Sequence, residues 1–370
     1  MLDSQRVRLA LLGCGRFGWR HLEAWRRIPD VDVVVVSDID EPRARTTAQR
    51  FGVSSYTTDF REAAAWPGVD AVDVCLPTYL HAEAVIEAAR HGRHVFCEKP
   101  LGLTPAQAQE ATAACWEAGV KLQVGFCRRF DNAWLTAASI IRQGLLGRPV
   151  VWRHATGTAG APQPWFFEAD QGGGPFVDGA IHWYDFARLV FGEAESVVAS
   201  TRSLQPGRTA PDTGIVSVRF ASGDELQLMW SWGLPHGIRV DEQHEVLGPQ
   251  GALAMLPRPR EDHPPADRIN VNGRDEGLES RANGVDPGSL GYLRLLRPGQ
   301  YHGEPVPYPR NNMVDEELAA FARAVREGTE PLVGGIEAIR ALEIAMAVLE
   351  SSRTGQAVRL SPVGVRSPLG

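Results

Sequence analysis

Val7-Arg8-Leu9-Ala10-Leu11-Leu12-Gly13-Cys14-Gly15-Arg16-Phe17-Gly18 is the stretch on which the fold turns. A short run with strand character feeds directly into a G-x-G-x-x-G, and the helix-like segment Trp19 to Ile28 follows. Each glycine has a separate task. Gly13 permits a tight turn, Gly15 lets the backbone approach a pyrophosphate, and Gly18 allows close helix–strand packing. The helix offers its N-terminus, with its unpaired N–H groups, to the phosphates. A second strand, Val31 to Ser37, is almost wholly apolar, as a strand buried on both faces should be. It ends at Asp38, 20 residues after Gly18, where the dinucleotide fingerprint places an acid on the ribose 2′-hydroxyl. A lone glycine motif is often only a tight turn. Strand, glycines, helix, strand and acid in that order form a specific signal for a nicotinamide dinucleotide. Asp38 accepts hydrogen bonds from a ribose diol and repels a 2′-phosphate, so NAD is expected over NADP. Arg43 and Arg45 lie close behind and soften that preference. Gly13, Gly15, Arg16, Phe17, Asp38 and Arg43 are the expected cofactor contacts of this first half-unit.

Strand and helix keep alternating downstream. Asp70 to Leu76 is a predicted strand that ends in Pro77-Thr78-Tyr79-Leu80-His81, and Ala82 to Arg90 is a predicted helix. His94 to Cys97 is the next strand, ending in Glu98-Lys99-Pro100. Thr104 caps a helix through Ala118, and Lys121 to Phe126 closes the series. Such alternation predicts an α/β unit with a doubly wound parallel sheet, whose ligands bind outside the carboxyl ends of the strands. Leu76, Pro77, Thr78, His81, Glu98 and Lys99 all fall at such ends and join the expected cofactor contacts, as does Arg128 for a substrate. A lysine at a strand end is usually a solvated charge. Pro100 holds Lys99 in an extended or turn conformation, and its ammonium can stabilise a developing oxyanion.

Composition bounds the alternatives. The chain has 370 residues, 44% hydrophobic and 22% charged, which suits a soluble protein of two domains. Its formal charge of −7 offers no broad basic field and argues against nucleic acid as partner. No apolar stretch approaches the roughly 20 residues of a membrane span. Met1 leads straight into the first strand, leaving no room for a signal peptide, so a cytoplasmic protein is expected. Cys14, Cys75, Cys97, Cys115 and Cys127 show no metal spacing and read as reduced thiols; no metal ligand is assigned.

From Arg148 the alternation stops. Pro149 to Thr156, Glu195 to Thr201, Thr213 to Phe220, Glu225 to Trp232 and His244 to Gly248 look like strands with turns between them, as in a mainly antiparallel sheet. Two domains are expected, residues 1–126 and 127–370. The stretch from Pro257 to Pro309 is rich in Pro, Gly, Arg and Asp and reads as a long polar loop, either an active-site flap or an oligomer contact. Between the strands stands Gly172-Gly173-Gly174-Pro175, followed by Asp178, His182 and Asp185 at spacings of four and three. Pro175 marks a helix start, and residues three and four apart share a helix face. One stripe then carries carboxylate, imidazole and carboxylate, a set that can pass a proton near neutral pH. The bland alternative is a polar face with a satisfied histidine. Trp165, just before the glycines, is either core packing or one wall of a sugar pocket.

Taken together, Gly13-Cys14-Gly15-Arg16-Phe17-Gly18, Glu98-Lys99-Pro100, Gly125-Phe126-Cys127-Arg128-Arg129-Phe130 and Gly172-Gly173-Gly174…Asp178…His182…Asp185 resemble the glucose–fructose oxidoreductase, inositol dehydrogenase and rhizopine-catabolism (Gfo/Idh/MocA) family. The resemblance spans nearly the whole chain, including Asp315-Glu316-Glu317-Leu318…Phe321…Gly328…Pro331. It implies an N-terminal Rossmann domain and a C-terminal α+β domain with a large open antiparallel sheet that often forms the oligomer interface. It also implies a cis Lys99–Pro100 bond, catalytic roles for Lys99, Asp178 and His182, and His182 as the proton acceptor. Lys99, Arg128, Trp165, Asp178 and His182 are the expected substrate contacts. Many members carry Asn at the position of Tyr79, so fine cofactor contacts differ there. The expected function is NAD-dependent hydride transfer from a cyclitol, polyol or sugar hydroxyl, inositol 2-dehydrogenase-like, by a homodimer or homotetramer. An NAD-dependent glycosidase and a non-catalytic NAD-binding sensor are the alternatives; retention of Lys99, Asp178 and His182 together argues against the sensor.

Overall fold

A computed structural model of the protein describes residues 6–255, 290–299 and 303–361. The chain divides into two compact units, Met1–Cys127 with Met313–Leu342, and Arg128–Asn312 with Glu343–Gly370.

The first unit is built on β1 (Val7–Leu12), α1 (Arg16–Trp25), β2 (Val31–Ser37), α2 (Glu41–Phe51), β3 (Ser55–Thr57), α3 (Phe60–Ala64), β4 (Ala71–Val74), α4 (His81–Arg90), β5 (His94–Cys97), α5 (Pro105–Glu117) and β6 (Leu122–Val124). The six strands pair in parallel in the order β3-β2-β1-β4-β5-β6. The order reverses between β1 and β4, which is where an open α/β sheet binds its ligand. Short polar side chains start α2 and α5: Asp40 accepts from the Arg43 N–H at α2, and Thr104 and Gln107 form a reciprocal capping box at α5. The sequence-based starts and stops move by a few residues; α1 begins at Arg16 rather than Trp19, and β6 ends at Val124 rather than Phe126.

The second unit contains α6 (Asn132–Arg142), β7 (Val151–Gly157), α7 (Ile181–Phe191), β8 (Ala194–Arg202), β9 (Thr213–Phe220), β10 (Glu225–Ser231), β11 (Val240–Gly248), β12 (Gly251–Ala254), β13 (Leu290–Leu296) and β14 (Glu304–Pro309). With β15 (Val358–Arg359) these strands form a nine-stranded sheet, β14-β13-β12-β11-β7-β10-β9-β8-β15. Among the described residues of this sheet, β7 and β10 run parallel and every other pair is antiparallel. The alternation that identified the strands is real. On β9, Val216, Val218 and Phe220 are buried while Ile215 and Arg219 point outward; on β10, Leu226, Leu228 and Trp230 are buried.

The stretch read as one long polar loop, Pro257 to Pro309, is partly sheet: β13 and β14 occupy its end, and residues 256–289 and 300–302 lie outside the described residues. Proline content hid β14. Pro305, Pro307 and Pro309 fall at alternate positions of the outermost strand, so the missing N–H groups share one side of the strand and can face away from β13.

The division at residue 126/127 also needs amending. Two further helices, α8 (Met313–Glu327) and α9 (Gly335–Thr354), follow β14, and residues 313–342 belong to the first unit. Val314, Leu318, Phe321 and Val325 of α8 pack with Val7 and Leu9 of β1, Trp25 of α1 and Phe96 of β5. Periodicity marks α8 as amphipathic but does not say which core its apolar stripe covers. Among the described residues, no helix is long and apolar enough to cross a membrane. The Lys99–Pro100 bond is cis, as the resemblance implied, and so is Arg148–Pro149.

Phe321 is fully buried and meets Phe96 edge-on with ring centroids 5.8 Å apart. Phe321→Ala is expected to destabilise the first unit by about 3–5 kcal/mol. Urea unfolding followed by tryptophan fluorescence and by NAD affinity checks this, and the early transition should be the one that abolishes NAD binding.

Candidate active site

The loop after β1 fits a dinucleotide phosphate in its backbone detail. Gly13 has φ +98°, and a Cβ there would lie 2.4 Å from the Cys75 carbonyl oxygen. A Cβ on Gly18 would lie 2.0 Å from the Gly13 carbonyl oxygen, whereas one on Gly15 would meet nothing within 4 Å. Gly13 and Gly18 are therefore glycines because chain packs on them, and Gly15 because it leaves open space for a ligand. Gly15 is also the residue before α1, and it supplies no side-chain cap. The first N–H groups of that helix are thus left to a bound anion. Arg16 and Phe17 are exposed at the same turn.

Asp38 follows β2 and is mostly buried. It accepts hydrogen bonds from the backbone N–H of Cys14 (3.0 Å) and of Asp40 (2.9 Å), which aim its carboxylate at the glycine loop. Arg43 donates to both of its oxygens, at 3.2 and 3.3 Å. The arginine expected to soften cofactor preference is therefore bound to the carboxylate expected to set it.

Leu76, Pro77 and Thr78 follow β4, with Thr78 buried, and Tyr79 is exposed. His81 begins α4 and is buried. Its ring nitrogens lie 2.6 Å from the Pro100 carbonyl oxygen and 2.7 Å from the Leu76 carbonyl oxygen. It thus ties the loop after β4 to the loop after β5. Burial lowers its pKa, against the pull of the two carbonyls; the neutral ring can donate to one of these carbonyls and the imidazolium to both.

Glu98 and Lys99 follow β5. The Lys99 backbone N–H donates to Glu98 Oε2 at 3.2 Å. Behind Glu98 lies a network that the sequence reading missed. Glu98 Oε1 is 3.2 Å from His21 Nε2, and His21 Nδ1 is 3.0 Å from Asp73 Oδ2. Trp25 Nε1 donates to the same Asp73 oxygen at 2.7 Å. His21, Asp73 and Glu98 are all buried. Burial alone would lower the His21 pKa, but Asp73 and Cys75 more than reverse it, and the imidazolium is favoured. Burial likewise opposes charge on Glu98, and the hydrogen bond and positive charge of His21 overcome it. The available signals were His21 at three residues past Gly18 and an acid, Asp73, inside an otherwise apolar strand.

Glu317 of α8 completes the group. It is fully buried, neither carboxylate oxygen has a hydrogen-bond partner, and one oxygen lies within 4.8 Å of the ligand atoms of His21 and Glu98. Burial and the negative charge of Glu98 raise its pKa well above the ordinary value, so it is a neutral acid.

In the second unit, Asp178, His182 and Asp185 do not share one regular helix. Pro175–Gly179 is a π-helical turn and α7 starts at Ile181. Asp178 sits in the π turn and is buried; His182 is the second residue of α7 and is partly exposed. Gly173 and Gly174 each have φ +73°, and a Cβ on Gly179 would lie 2.9 Å from the Trp232 ring and 3.1 Å from the Trp230 ring. The glycine run thus makes a sharp turn and then a close approach to a tryptophan floor. A π turn in place of α geometry is frequent at functional sites. Asp185 has a separate task. Its two oxygens accept from Arg129 Nε at 2.8 Å and Nη2 at 2.6 Å, a buried bidentate pair. Asp185 anchors α7 to the segment around Arg129. Arg128 lies over the rings of Trp134 (5.1 Å) and Trp183 (6.0 Å) and donates to Asp131. Trp165 is half-buried and stacks on Phe166 with centroids 3.7 Å apart.

Comparison with known proteins decides the family. The model described as "Oxidoreductase family, NAD-binding Rossmann fold" matches residues 7–126, and the "GFO/IDH/MocA C-terminal domain" matches residues 134–254. The chain belongs to the GFO/IDH/MocA oxidoreductase family. It is an NAD-binding oxidoreductase with the Rossmann unit and the mixed, mostly antiparallel sheet of that family. It is 31% identical over 368 residues to scyllo-inositol 2-dehydrogenase (NAD(+)) of Bacillus subtilis, covering 96% of this chain and 97% of that one. It is 32% identical over 362 residues to myo-inositol 2-dehydrogenase of Thermotoga maritima, covering 96% and 99%. Among solved structures, a probable dehydrogenase from Thermotoga maritima aligns with TM-score 0.73 and 28% identity, covering 95% of this chain and 98% of that one.

The buried acid gives a sign that can be tested. A carboxyl whose folded pKa lies above its unfolded value binds more protons in the folded state. Its penalty is absent below the unfolded pKa and grows as pH rises toward the folded one. Glu317→Gln keeps the shape and removes that penalty. The melting temperature of the variant is expected to match the parent near pH 4.5 and to exceed it increasingly toward pH 8. A pH-independent difference would show that Glu317 is not the titrating group.

Proposed function

We propose that the protein is a cyclitol dehydrogenase of inositol 2-dehydrogenase type, which oxidises a ring hydroxyl and passes the hydride to NAD. The observation that carries this reading is the similarity to two relatives named inositol 2-dehydrogenases, spread over 96% of the chain rather than confined to the cofactor unit. The residues expected to do the work are all present: Lys99, Asp178 and His182. NAD supplies the hydride acceptor, and the chain supplies orientation and proton transfer. His182 takes the hydroxyl proton, Asp178 orients the imidazole and favours its charged form, and Lys99 stabilises negative charge on the substrate oxygen. Arg128 and Trp165 are assigned to substrate binding. Leu76, Pro77, Thr78, His81 and Glu98 are assigned to the cofactor side with Gly13, Gly15, Arg16, Phe17, Asp38 and Arg43. We assign residues 1–126 with 313–342 to the cofactor and the remainder to substrate and assembly. Five cysteines without a disulfide suit a reducing compartment, and we place the protein in the cytoplasm.

We also propose a homo-oligomer through the open face of the nine-stranded sheet. Ile215 and Met229 are direct cross-strand neighbours on that face, 63% and 42% exposed, and Val198 on β8 is also exposed. Apolar side chains grouped on one sheet face mark an interface. A dimer or tetramer is expected in sedimentation at micromolar concentration, and Ile215→Asp should shift it toward smaller species. A monomeric parent protein would overturn this.

The reaction is tested with a panel of inositol stereoisomers and aldoses and NAD, read at the NADH absorbance band. At least one inositol is expected to outrun every aldose in kcat/KM. On that substrate, His182→Ala and Lys99→Ala should each lower kcat by about 10²–10⁴-fold while NAD affinity by titration stays within a few-fold. Turnover of His182→Ala close to the parent would move the proton to another group.

A further inference from the structure

Two histidines of the second unit face each other on neighbouring strands with three ring nitrogens unmatched. His154 of β7 is the direct cross-strand partner of His244 of β11. Their rings are 5.1 Å apart and nearly perpendicular. His154 is 1% exposed and His244 is 7% exposed. Neither ring nitrogen of His154 has a hydrogen-bond partner, and neither does His244 Nε2. Leaving a buried polar atom unmatched costs about 1–3 kcal/mol, so three such atoms in one place call for a ligand.

Glu242 supplies a third donor. It lies two residues before His244, on the same face of β11, beside a β-bulge between Val240 and Gln243. Its Oε1 is 3.8 Å from His154 Nδ1. One ligand atom from each of His154, Glu242 and His244 lies within 4.8 Å of the other two. Two ligands on one tetrahedral zinc ion, each at about 2.0–2.1 Å, stand roughly 3.4 Å apart. Closing the three atoms onto a shared ion takes up to about 1.4 Å of movement, within reach of side-chain rotation.

We propose that His154, Glu242 and His244 form a binding site for a divalent transition-metal ion of the zinc class. Two nitrogens and one carboxylate oxygen are a borderline donor set that suits such ions better than magnesium or calcium. Three protein ligands leave a coordination position open. The protonation states agree with this assignment. Burial lowers the His154 pKa to about 4 and the His244 pKa well below its ordinary value, so both imidazoles are neutral at pH 7 with lone pairs available. The surroundings are apolar: Trp183 and Trp230 lie 4.5 and 5.3 Å from the His154 ring, and Trp152 stacks on His244 at 5.8 Å. The charge of Arg128, which also lowers both histidine pKa values, opposes an ion, and the carboxylate of Glu242 offsets it. None of these three residues has a part in the proposed hydride transfer.

The test uses the full-length protein freed of metal by a chelator and desalted. Zinc and cobalt(II) are titrated in separately by calorimetry, with cobalt also followed through its visible d–d bands. One equivalent is expected to bind with a Kd of about 1 µM or tighter, with cobalt bands typical of four or five ligands. His154→Phe and His244→Phe should each weaken binding by at least about 100-fold, and Glu242→Gln, whose side chain is partly buried, should weaken it by about 10–100-fold. Melting curves identify any variant that fails to fold, and Glu242→Gln alone then decides. Absence of stoichiometric binding overturns the site and leaves the histidines as polar walls of a substrate pocket. An equivalent that survives all three substitutions also overturns it and points instead to the His21, Asp73 and Cys75 cluster.

Discussion

The charged imidazole of His21, buried between Asp73 and Glu98, is the interaction on which the cofactor unit depends. It joins three elements that must keep a fixed relation. His21 lies on α1, whose N-terminus faces the phosphate position. Asp73 lies on β4, the strand across the switch point. Glu98 begins the loop that carries Lys99. A buried ion pair is weak as a source of stability, because desolvation consumes most of the Coulomb gain. Its use here is directional. A charged hydrogen bond specifies distance and angle, and apolar packing does not. Removing one partner leaves an uncompensated charge in the core, which penalises every arrangement in which the three elements are out of place.

The same network fixes a pH range for the unit. His21 and Glu317 both have folded pKa values raised above their unfolded ones. Each therefore binds more protons in the folded state and disfavours folding as pH rises above its unfolded pKa. His81 and His94 have folded pKa values lowered by burial. They act in the opposite sense, disfavouring folding as pH falls below about 6.5. His154 and His244 do the same in the second unit. The stability optimum lies where these opposed terms balance.

Much of this was legible in the sequence, and the reasons for the gaps are physical. The first sheet is a run of local βα units, each announced by an apolar strand and a capped helix, so its order followed from the alternation. The glycine loop was legible because each glycine answers a backbone demand that no other residue meets. Phe321 and Glu317 were harder. An amphipathic helix states that it has a buried face but not whose core receives it, so the return of α8 to the first unit did not show. The π turn at Pro175–Gly179 was hidden because helical spacing looks the same over a single turn. His154 and His244 were hidden for a third reason. Each stands at an inward position of a strand like any apolar residue, and only the pairing of β7 with β11 makes them neighbours.

The two halves of the chain hold their polar groups in different ways, and the difference follows from their architecture. A parallel sheet covered on both faces has no wet side, so Asp73, His21 and Glu98 must satisfy one another. The antiparallel sheet of the second unit has a face lined by Trp134, Trp152, Trp183 and Trp230, which offer at most one donor each and accept no hydrogen bond through nitrogen. The indole N–H groups of Trp152, Trp183 and Trp230 are themselves unpartnered. His154, set among them, has no hydrogen-bond partner at either ring nitrogen. In the first unit His21 is paired with Asp73 and Glu98, with the neutral Glu317 unmatched beside them, whereas in the second His154 and His244 stand unmatched in an aromatic box, which is what an ion requires. His154 and His244 are thus placed for the ion proposed above, while the charged core of the first unit pairs His21 with Asp73 and Glu98.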